Sequence, residues 1–165
     1  MPWTRPADWI TITDTPGEVQ FLVSSLGTSA YTINTTFNKP ASQNLYIDWG
    51  DGTTSTISTA TSTNTSKTYT GGGTLSSLGY YMWKIRIYVD AGAQITTAKF
   101  GKATTQQALA PQGVLEAIYG DNTISTVSGF NFRNDGAGFG GSFPYVQNIK
   151  LPATMAGATD WSTAF

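Results

Sequence analysis

Residues 45–53 read Leu-Tyr-Ile-Asp-Trp-Gly-Asp-Gly-Thr, an alternating run that passes into a tight turn. Apolar and polar side chains alternate as far as Trp49, as they do along a strand with one buried face. The two glycines tolerate positive φ, and an Asp side chain can accept hydrogen bonds from backbone N–H groups. We therefore predict a strand and a turn stabilised by Asp48 and Asp51, with calcium ligation by these carboxylates as the less favoured alternative.

Residues 80–89 show the clearest alternation of apolar and polar side chains in the chain. One face of this predicted strand is apolar and aromatic, and we expect it to face the core. The other face still carries two tyrosines and a methionine, so we expect another element to cover part of it. The predicted core-facing residues are Tyr81, Trp83, Ile85, Ile87 and Val89. Further strands are predicted at 19–23, 31–37, 54–58 and 94–100, with a Thr/Ser-rich loop between 59 and 66.

Three of these pieces resemble the signature of the PKD family. The sequence W-G-D-G-T at 49–53 is followed by a Thr-Tyr pair at 68–69 and then by the alternating strand at 83–89. The resemblance covers about residues 18–100 and implies an immunoglobulin-like β-sandwich. Modules of this kind usually serve display or adhesion rather than catalysis. The structural motif residues that the resemblance selects are Asp48, Trp49, Gly50, Asp51, Gly52 and Tyr69.

The composition narrows the chemistry that is available. Charged residues make up 12% of the 165 residues, and the formal net charge is −1. Because Lys and Arg form no cluster, binding to nucleic acid through phosphate neutralisation is not expected. The chain contains no Cys and no His, which removes disulfides, thiolate metal sites and the usual general base. We therefore expect no enzyme activity, no catalytic residues, no cofactor and no metal site.

The N-terminal residues 1–17 are predicted to form an extended arm. Pro2 and Pro6 exclude a helix and bias the preceding residues toward extended geometry. Trp3 and Trp9 carry large apolar surfaces on this arm. Either they pack against the chain's own sandwich, or they dock on a neighbouring subunit.

The N-terminus lacks the apolar run of a secretory signal, so we expect synthesis in the cytoplasm. No segment approaches the ~20 apolar residues that a membrane helix needs, and we expect no membrane association.

The C-terminal part has a different character. We predict a sandwich over 18–101, a linker over 102–112, and a repeat-like segment over 113–165. Two repeats are too few to bury a solenoid face, so either the segment comes from a longer protein or a neighbouring chain completes it. Residues 115–120 align with residues 146–151, which places Ile118 opposite Ile149. The second copy resembles the BspA-like leucine-rich repeat, which implies strands that stack one upon another. Three aromatic residues among glycines suit a loop that grips a partner: Phe130, Phe132 and Phe139.

These features favour a structural protein of a bacteriophage virion, either a capsid decoration or head fibre or the base of a tail fibre. Phage proteins assemble in the host cytoplasm and are released by lysis, which suits an outward-facing module without a secretion signal. The expected partners are other virion proteins, contacted through the arm, and further copies in a symmetric assembly, with a host-surface glycan or protein as a further candidate. The alternative is a bacterial cell-surface adhesin or carbohydrate-binding module.

We expect exposed aromatic side chains at Tyr80, Tyr88, Tyr119 and Tyr145.

Overall fold

The computed structural model of the chain describes residues 4–25, 31–58, 62–90, 93–95, 97–100, 113–121, 130–131 and 147–153. Within these ranges the protein is all-β and contains no helix. The strands, in chain order, are β1 (Glu18–Ser24), β2 (Tyr31–Asn38), β3 (Leu45–Asp48), β4 (Thr54–Ile57), β5 (Ser62–Tyr69), β6 (Thr74–Leu75), β7 (Tyr81–Val89), β8 (Thr97–Phe100), β9 (Val114–Tyr119), β10 (Phe130–Asn131) and β11 (Asn148–Lys150).

The strands form a β-sandwich of two sheets. Sheet A is seven-stranded, with the order β11-β9-β1-β7-β3-β4 and the short β6 paired to β7. Sheet B is four-stranded, with the order β10-β8-β2-β5. Neighbouring strands are antiparallel except at one end, where β11 runs parallel to β9 and β10 runs parallel to β8. The C-terminal strands therefore add to one end of each sheet.

Apolar side chains from both sheets meet in one inner core. Trp83, Ile85 and Ile87 of β7 point into it, as the alternation of that strand predicted. From sheet B, Ile33 and Phe37 of β2 pack against them. Full burial of one such side chain contributes ~1.5–3 kcal/mol to stability, so this core is the main source of the sandwich's cohesion.

A second apolar cluster lies on the outer face of sheet A. It consists of side chains from β1, β7 and β9 that are covered by the segment preceding β1: Leu22, Met82, Leu115 and Ile118 beneath Trp9 and Ile12. We call residues 4–15 the arm and the four covered residues the arm groove. Because the arm covers one face and the inner core the other, all six residues of β9 are buried. The expected cover over the second face of β7 is thus confirmed at Met82.

Most of the predicted strands are confirmed. β1, β2, β3, β4 and β7 lie where the alternation placed them, and β8 begins later than the predicted start at 94. The predicted loop at 59–66 is wrong from Ser62 onward, because Ser62–Tyr69 is a full strand paired with β2 along its length. Threonine, β-branched and able to sit on a pleated surface, forms a strand there without an alternating apolar pattern.

The predicted boundary after residue 101 does not separate the described strands. β9 lies inside sheet A, between β1 and β11, so Val114–Tyr119 is hydrogen-bonded into the sandwich. The internal alignment is also shifted by one residue, because Ile149 pairs with Ala117 and not with Ile118. Successive strand residues face opposite sides, and Ile149 accordingly packs on the inner core while Ile118 lies in the arm groove. The predicted linker at 102–112 lies outside the described residues.

Candidate functional site

The turn between β3 and β4 is stabilised by its two aspartates. The Gly50 amide donates to Asp48 Oδ1 at 3.0 Å, and the Thr53 amide and hydroxyl donate to Asp51 Oδ1 at 3.0 and 2.6 Å. Lys67 Nζ on β5 lies 2.6 Å from Asp51 Oδ2. Burial of Asp51 opposes its ionisation, but Lys67 and the Thr53 donors together lower the pKa of its carboxyl. These contacts match the turn-stabilising role and join sheet A to sheet B.

Trp49 connects this turn to the inner core. Its side chain is buried, and its Nε1 donates to Ser55 Oγ at 2.8 Å. The hydroxyl of Tyr69 on β5 donates to the Trp49 carbonyl oxygen at 2.8 Å. The Tyr69 ring stacks on Trp83, with ring centroids 4.2 Å apart. The motif residues that the sequence selected therefore form one packed unit that spans the two sheets.

The arm is attached to β9 by a largely buried ion pair. Arg5 Nε lies 3.0 Å from both carboxylate oxygens of Glu116, whose side chain is 2% exposed. The same guanidinium donates to the carbonyl oxygens of Trp9 and Ile10, at 3.2 and 2.7 Å. Arg5 thus folds the arm back on itself and joins it to the sheet. Satisfying most of its donors in this way offsets the cost of burying the carboxylate.

Trp9 forms the apolar anchor of the arm. Its side chain is 6% exposed, packs in the arm groove and donates from Nε1 to the hydroxyl of Tyr80 at 2.7 Å. The neighbouring Asp8 carboxylate accepts a hydrogen bond from the Ser77 amide, which lowers the pKa of Asp8. The arm is therefore fixed both to the sheet and to the hairpin between β6 and β7.

Further polar contacts hold the C-terminal end of the arm. Gln20 Oε1 accepts a hydrogen bond from the Thr13 amide at 2.9 Å. Lys150 Nζ on β11 lies 2.6 Å from Asp14 Oδ2, and this exposed pair raises the pKa of Lys150. The arm thus contacts β1, β7, β9 and β11 through side chains.

The described residues include two of the five predicted assembly residues, Trp9 and Phe130. Trp9 packs against its own chain, which is the first of the two alternatives for the arm tryptophans, and a docking role for it stays a prediction. The backbone of Phe130 pairs with Ala98 in sheet B. Trp3, Phe132 and Phe139 lie outside the described residues. Arg5 and Glu116 were not selected from the sequence, because an ion pair between residues so far apart in the chain leaves no local signal.

The exposed surface carries a few large apolar side chains. Leu75 and Leu78, on the hairpin that Asp8 contacts, are 58% and 70% exposed. Tyr88 is 36% exposed and stacks on Tyr46, with ring centroids 5.1 Å apart. The expectation that Tyr119 is exposed is wrong, because both faces of β9 are covered and Tyr119 is 1% exposed. Tyr145 lies outside the described residues.

The Tyr46–Tyr88 pair occupies the part of sheet A that the arm leaves open. The Tyr46 hydroxyl donates to Asp90 Oδ1 at 2.9 Å, and this hydrogen bond raises the pKa of Tyr46. The second oxygen of Asp90 accepts from the Asn44 amide at 2.7 Å. Arg86 lies over the Tyr88 ring, 6.0 Å from its centroid. The patch is therefore aromatic, with hydrogen-bonding groups at its margin.

The described residues contain no group of three or more His, Cys, Asp or Glu side chains that could hold a metal ion. No helix long and apolar enough to cross a membrane occurs in the described part of the chain.

Comparisons with protein-family models, with curated proteins and with solved structures found no match for this chain.

Proposed function

We propose that the chain is a structural protein of a bacteriophage virion, a capsid decoration or head fibre or the base of a tail fibre. The observation that supports this proposal is that the acidic side chains form contacts within the chain. Every acidic side chain of the described residues forms an ion pair or accepts a hydrogen bond from a backbone amide. Carboxylates held in such contacts suit a structural role better than acid–base chemistry.

In this proposal residues 18–100 are an immunoglobulin-like module of the PKD type, displayed on the particle surface. The Trp49–Tyr69 unit, which ties the β3–β4 turn to sheet B, supports that reading. The described sandwich is extended by β9 and β11, so the displayed body reaches beyond the PKD-like region. The protein assembles in the host cytoplasm and functions in the virion.

The contact with other virion proteins is made on the arm side of the molecule. Asp8 connects the arm to Ser77, which lies between the exposed Leu75 and Leu78. Exposed leucines beside an exposed strip of arm form the kind of apolar patch with a polar border that protein interfaces use. Multiple copies on a symmetric particle would present this surface repeatedly.

The test is incorporation into particles. In phage-producing cells, the chain lacking residues 1–9 and the variant L75S/L78S should remain folded but be lost from particles purified by sedimentation. T54S/T56S, on the exposed side of edge strand β4, is the control and should be incorporated like the wild type. Normal incorporation of both arm-side variants would refute the assembly role of this surface. Absence of the wild-type chain from purified particles would refute the virion function itself.

A carbohydrate-binding or adhesion module is the second candidate, and the Tyr46–Tyr88 patch favours it. Tyrosine rings bordered by Asp90 and Arg86 combine an apolar surface with hydrogen-bonding groups, as sugar recognition requires. Glycan-array binding that is lost in Y88A and retained in L78S would support this candidate. A chain that binds no glycan but co-purifies with particles would leave the virion function alone.

A further inference from the structure

The arm groove needs an occupant. Leu22, Met82, Leu115 and Ile118 together form an apolar surface on the outside of sheet A, and water over such a surface costs about 25 cal/mol for each Å². Glu116 lies beside it, 2% exposed, and requires a cationic partner when buried. The groove is therefore complementary to a segment that has one cationic side chain followed by large apolar side chains. Residues 5–12 of this chain satisfy that requirement.

The arm occupies the groove as a peptide ligand would. Between Arg5 and Asp14, the arm contacts the sheets mainly through the side chains of Arg5, Trp9, Ile10, Ile12 and Asp14, and through the Thr13 amide, which donates to Gln20. Backbone contact begins at Thr15, whose carbonyl oxygen accepts a hydrogen bond from the Glu18 amide. Residues 4–15 form none of the strand ladders of either sheet. An element attached by anchors and not by a backbone ladder can leave one groove and enter an identical one without breaking the sandwich.

We propose that the occupant of the groove in the assembled state is the arm of a second copy, so that residues 4–12 are exchanged between neighbouring chains. The inference rests on the proposed multi-copy function, and it names the partner as the same chain. Exchange of an identical element recreates each contact of residues 4–12, the Arg5–Glu116 pair included, and domain swapping of this kind links copies at low cost in free energy. Residues 13–17 form the connection whose path would change. The hydrogen bonds from the Thr13 amide to Gln20 and from the Gly17 amide to the Asp121 carbonyl oxygen are therefore the ones that exchange would rearrange.

Local concentration determines which form prevails. A short tether holds the arm near its own groove at an effective concentration of the order of millimolar. A dilute chain therefore keeps its arm, as the structure has it. Copies fixed side by side on a particle reach comparable concentrations, and there the arm of a neighbour competes on equal terms. The exchange thus couples assembly to crowding of the copies, with no other trigger.

The absence of cysteine from the chain allows a direct test. One pool carries D8C and a second, ¹⁵N-labelled pool carries S77C, two exposed positions in direct contact between arm and hairpin. The pools are mixed at about 1 mM, the effective concentration of a short tether, and oxidised, and disulfide-linked pairs of one labelled and one unlabelled chain are counted by mass spectrometry. The control replaces S77C with T54C, at the far edge strand β4.

Exchange predicts more mixed disulfide for D8C with S77C than for the control, because exchange holds the two cysteines together while the control pair meets only by collision. Adding R5A to the D8C pool should reduce the yield to the control level. A yield equal to the control without R5A would overturn the inference. Both cysteines lie on the surface and should leave the fold intact. Circular dichroism of each pool verifies that the variant is folded.

The two proposals can fail separately. Particles that incorporate the wild type but give only control levels of mixed disulfide, when formed from both pools, would overturn the exchange and leave the virion function in place. Exchange in concentrated protein together with absence from particles would do the reverse.

Discussion

At Gly50 the backbone of the β3–β4 turn lies directly against the backbone of β7. A Cβ built on Gly50 would come within 2.3 Å of the Lys84 carbonyl oxygen, and the residue has φ of 76°. Gly52, two residues later, has φ of 85° but meets nothing within 4 Å. The same turn therefore contains one glycine required by space and conformation and another required by conformation alone.

This difference yields a matched pair of variants. Gly52→Ala should lower the free energy of unfolding by about 1–2 kcal/mol, the cost of placing a side chain in the left-handed region. Gly50→Ala should cost more than about 3 kcal/mol, since the backbones must also separate. Urea denaturation of both variants measures the two values. Equal costs would show that the close approach to Lys84 does not exist.

Trp49 and Tyr69 test the inner core at the same scale. Trp49→Ala should cost about 3–5 kcal/mol, because the cavity left by a buried indole is only partly filled. Tyr69→Phe removes the hydroxyl that donates to the Trp49 carbonyl and should cost about 1–2 kcal/mol, because it leaves a buried acceptor without that donor. Thermal unfolding followed by near-ultraviolet circular dichroism reports both. An unchanged melting temperature for Trp49→Ala would place that side chain outside the core.

The roles of the turn residues could be predicted from the sequence, because the conformation of an Asp-Gly turn is determined by residues that are adjacent in the chain. Asp48 and Asp51 bond amides two residues away, a distance that sequence inspection covers. The pairing of Arg5 with Glu116 could not be predicted, since it depends on how β9 enters the sheet. For the same reason Trp9 remained undecided between two roles.

Two elements, β5 and β9, could not be predicted correctly from the hydrophobic pattern of the sequence. β5 contains Ser, Thr, Asn and Lys, with Tyr69 as its buried aromatic, so it offers no apolar alternation to detect. Its strand conformation comes from pairing with β2, which is tertiary information. The place of β9 could not be predicted for a different reason. Both of its faces are covered, and a strand of that kind shows a continuous buried run that leaves its place in the fold undetermined.

The attachment of the arm can be measured as an interaction between two elements. Arg5→Ala should lower the free energy of unfolding by about 3 kcal/mol, because Glu116 would remain buried without its cation. Adding Glu116→Gln removes the stranded charge and should recover part of that loss. A double-mutant cycle by urea denaturation gives the coupling. Additive effects of the two substitutions would mean that the pair does not hold the arm.

On the scale of the whole molecule, the two ends of the sandwich are built differently. At one end lie the hydroxyl-rich edge strands β4 and β5, where Lys67 of β5 pairs with Asp51 in the turn before β4. At the other end the chain alternates between the layers, with β8 and β10 in sheet B and β9 and β11 in sheet A. Parallel strands added in turn to two layers are how solenoid repeats stack. The BspA-like resemblance remains a prediction, and this geometry is compatible with it.

The distribution of titratable groups predicts how the whole molecule responds to pH. Hydrogen bonds from Arg86 lower the pKa of Glu18 below 4.5, and backbone donors lower the pKa of Asp8 and Asp90 below 3.8. Carboxyls with a lowered folded-state pKa stabilise the protein above their ordinary pKa, and this contribution is lost as the pH falls through the folded value. Burial raises the pKa of Tyr119 above 10.0, so its contribution is complete below that pH and is lost on further alkalinisation.

Because the chain has neither His nor Cys, no side chain with an ordinary pKa titrates between about pH 5 and pH 8. The urea midpoint should therefore be level across this interval, fall below about pH 4.5 and fall again above about pH 10. Glu18→Gln is the control for the acid limb: it should lower the midpoint at neutral pH and make the acid fall shallower, since the Arg86 pair is already gone. A clear change in the midpoint between pH 5 and pH 8 would mean that a group outside these carboxyls and tyrosines carries a strongly shifted pKa.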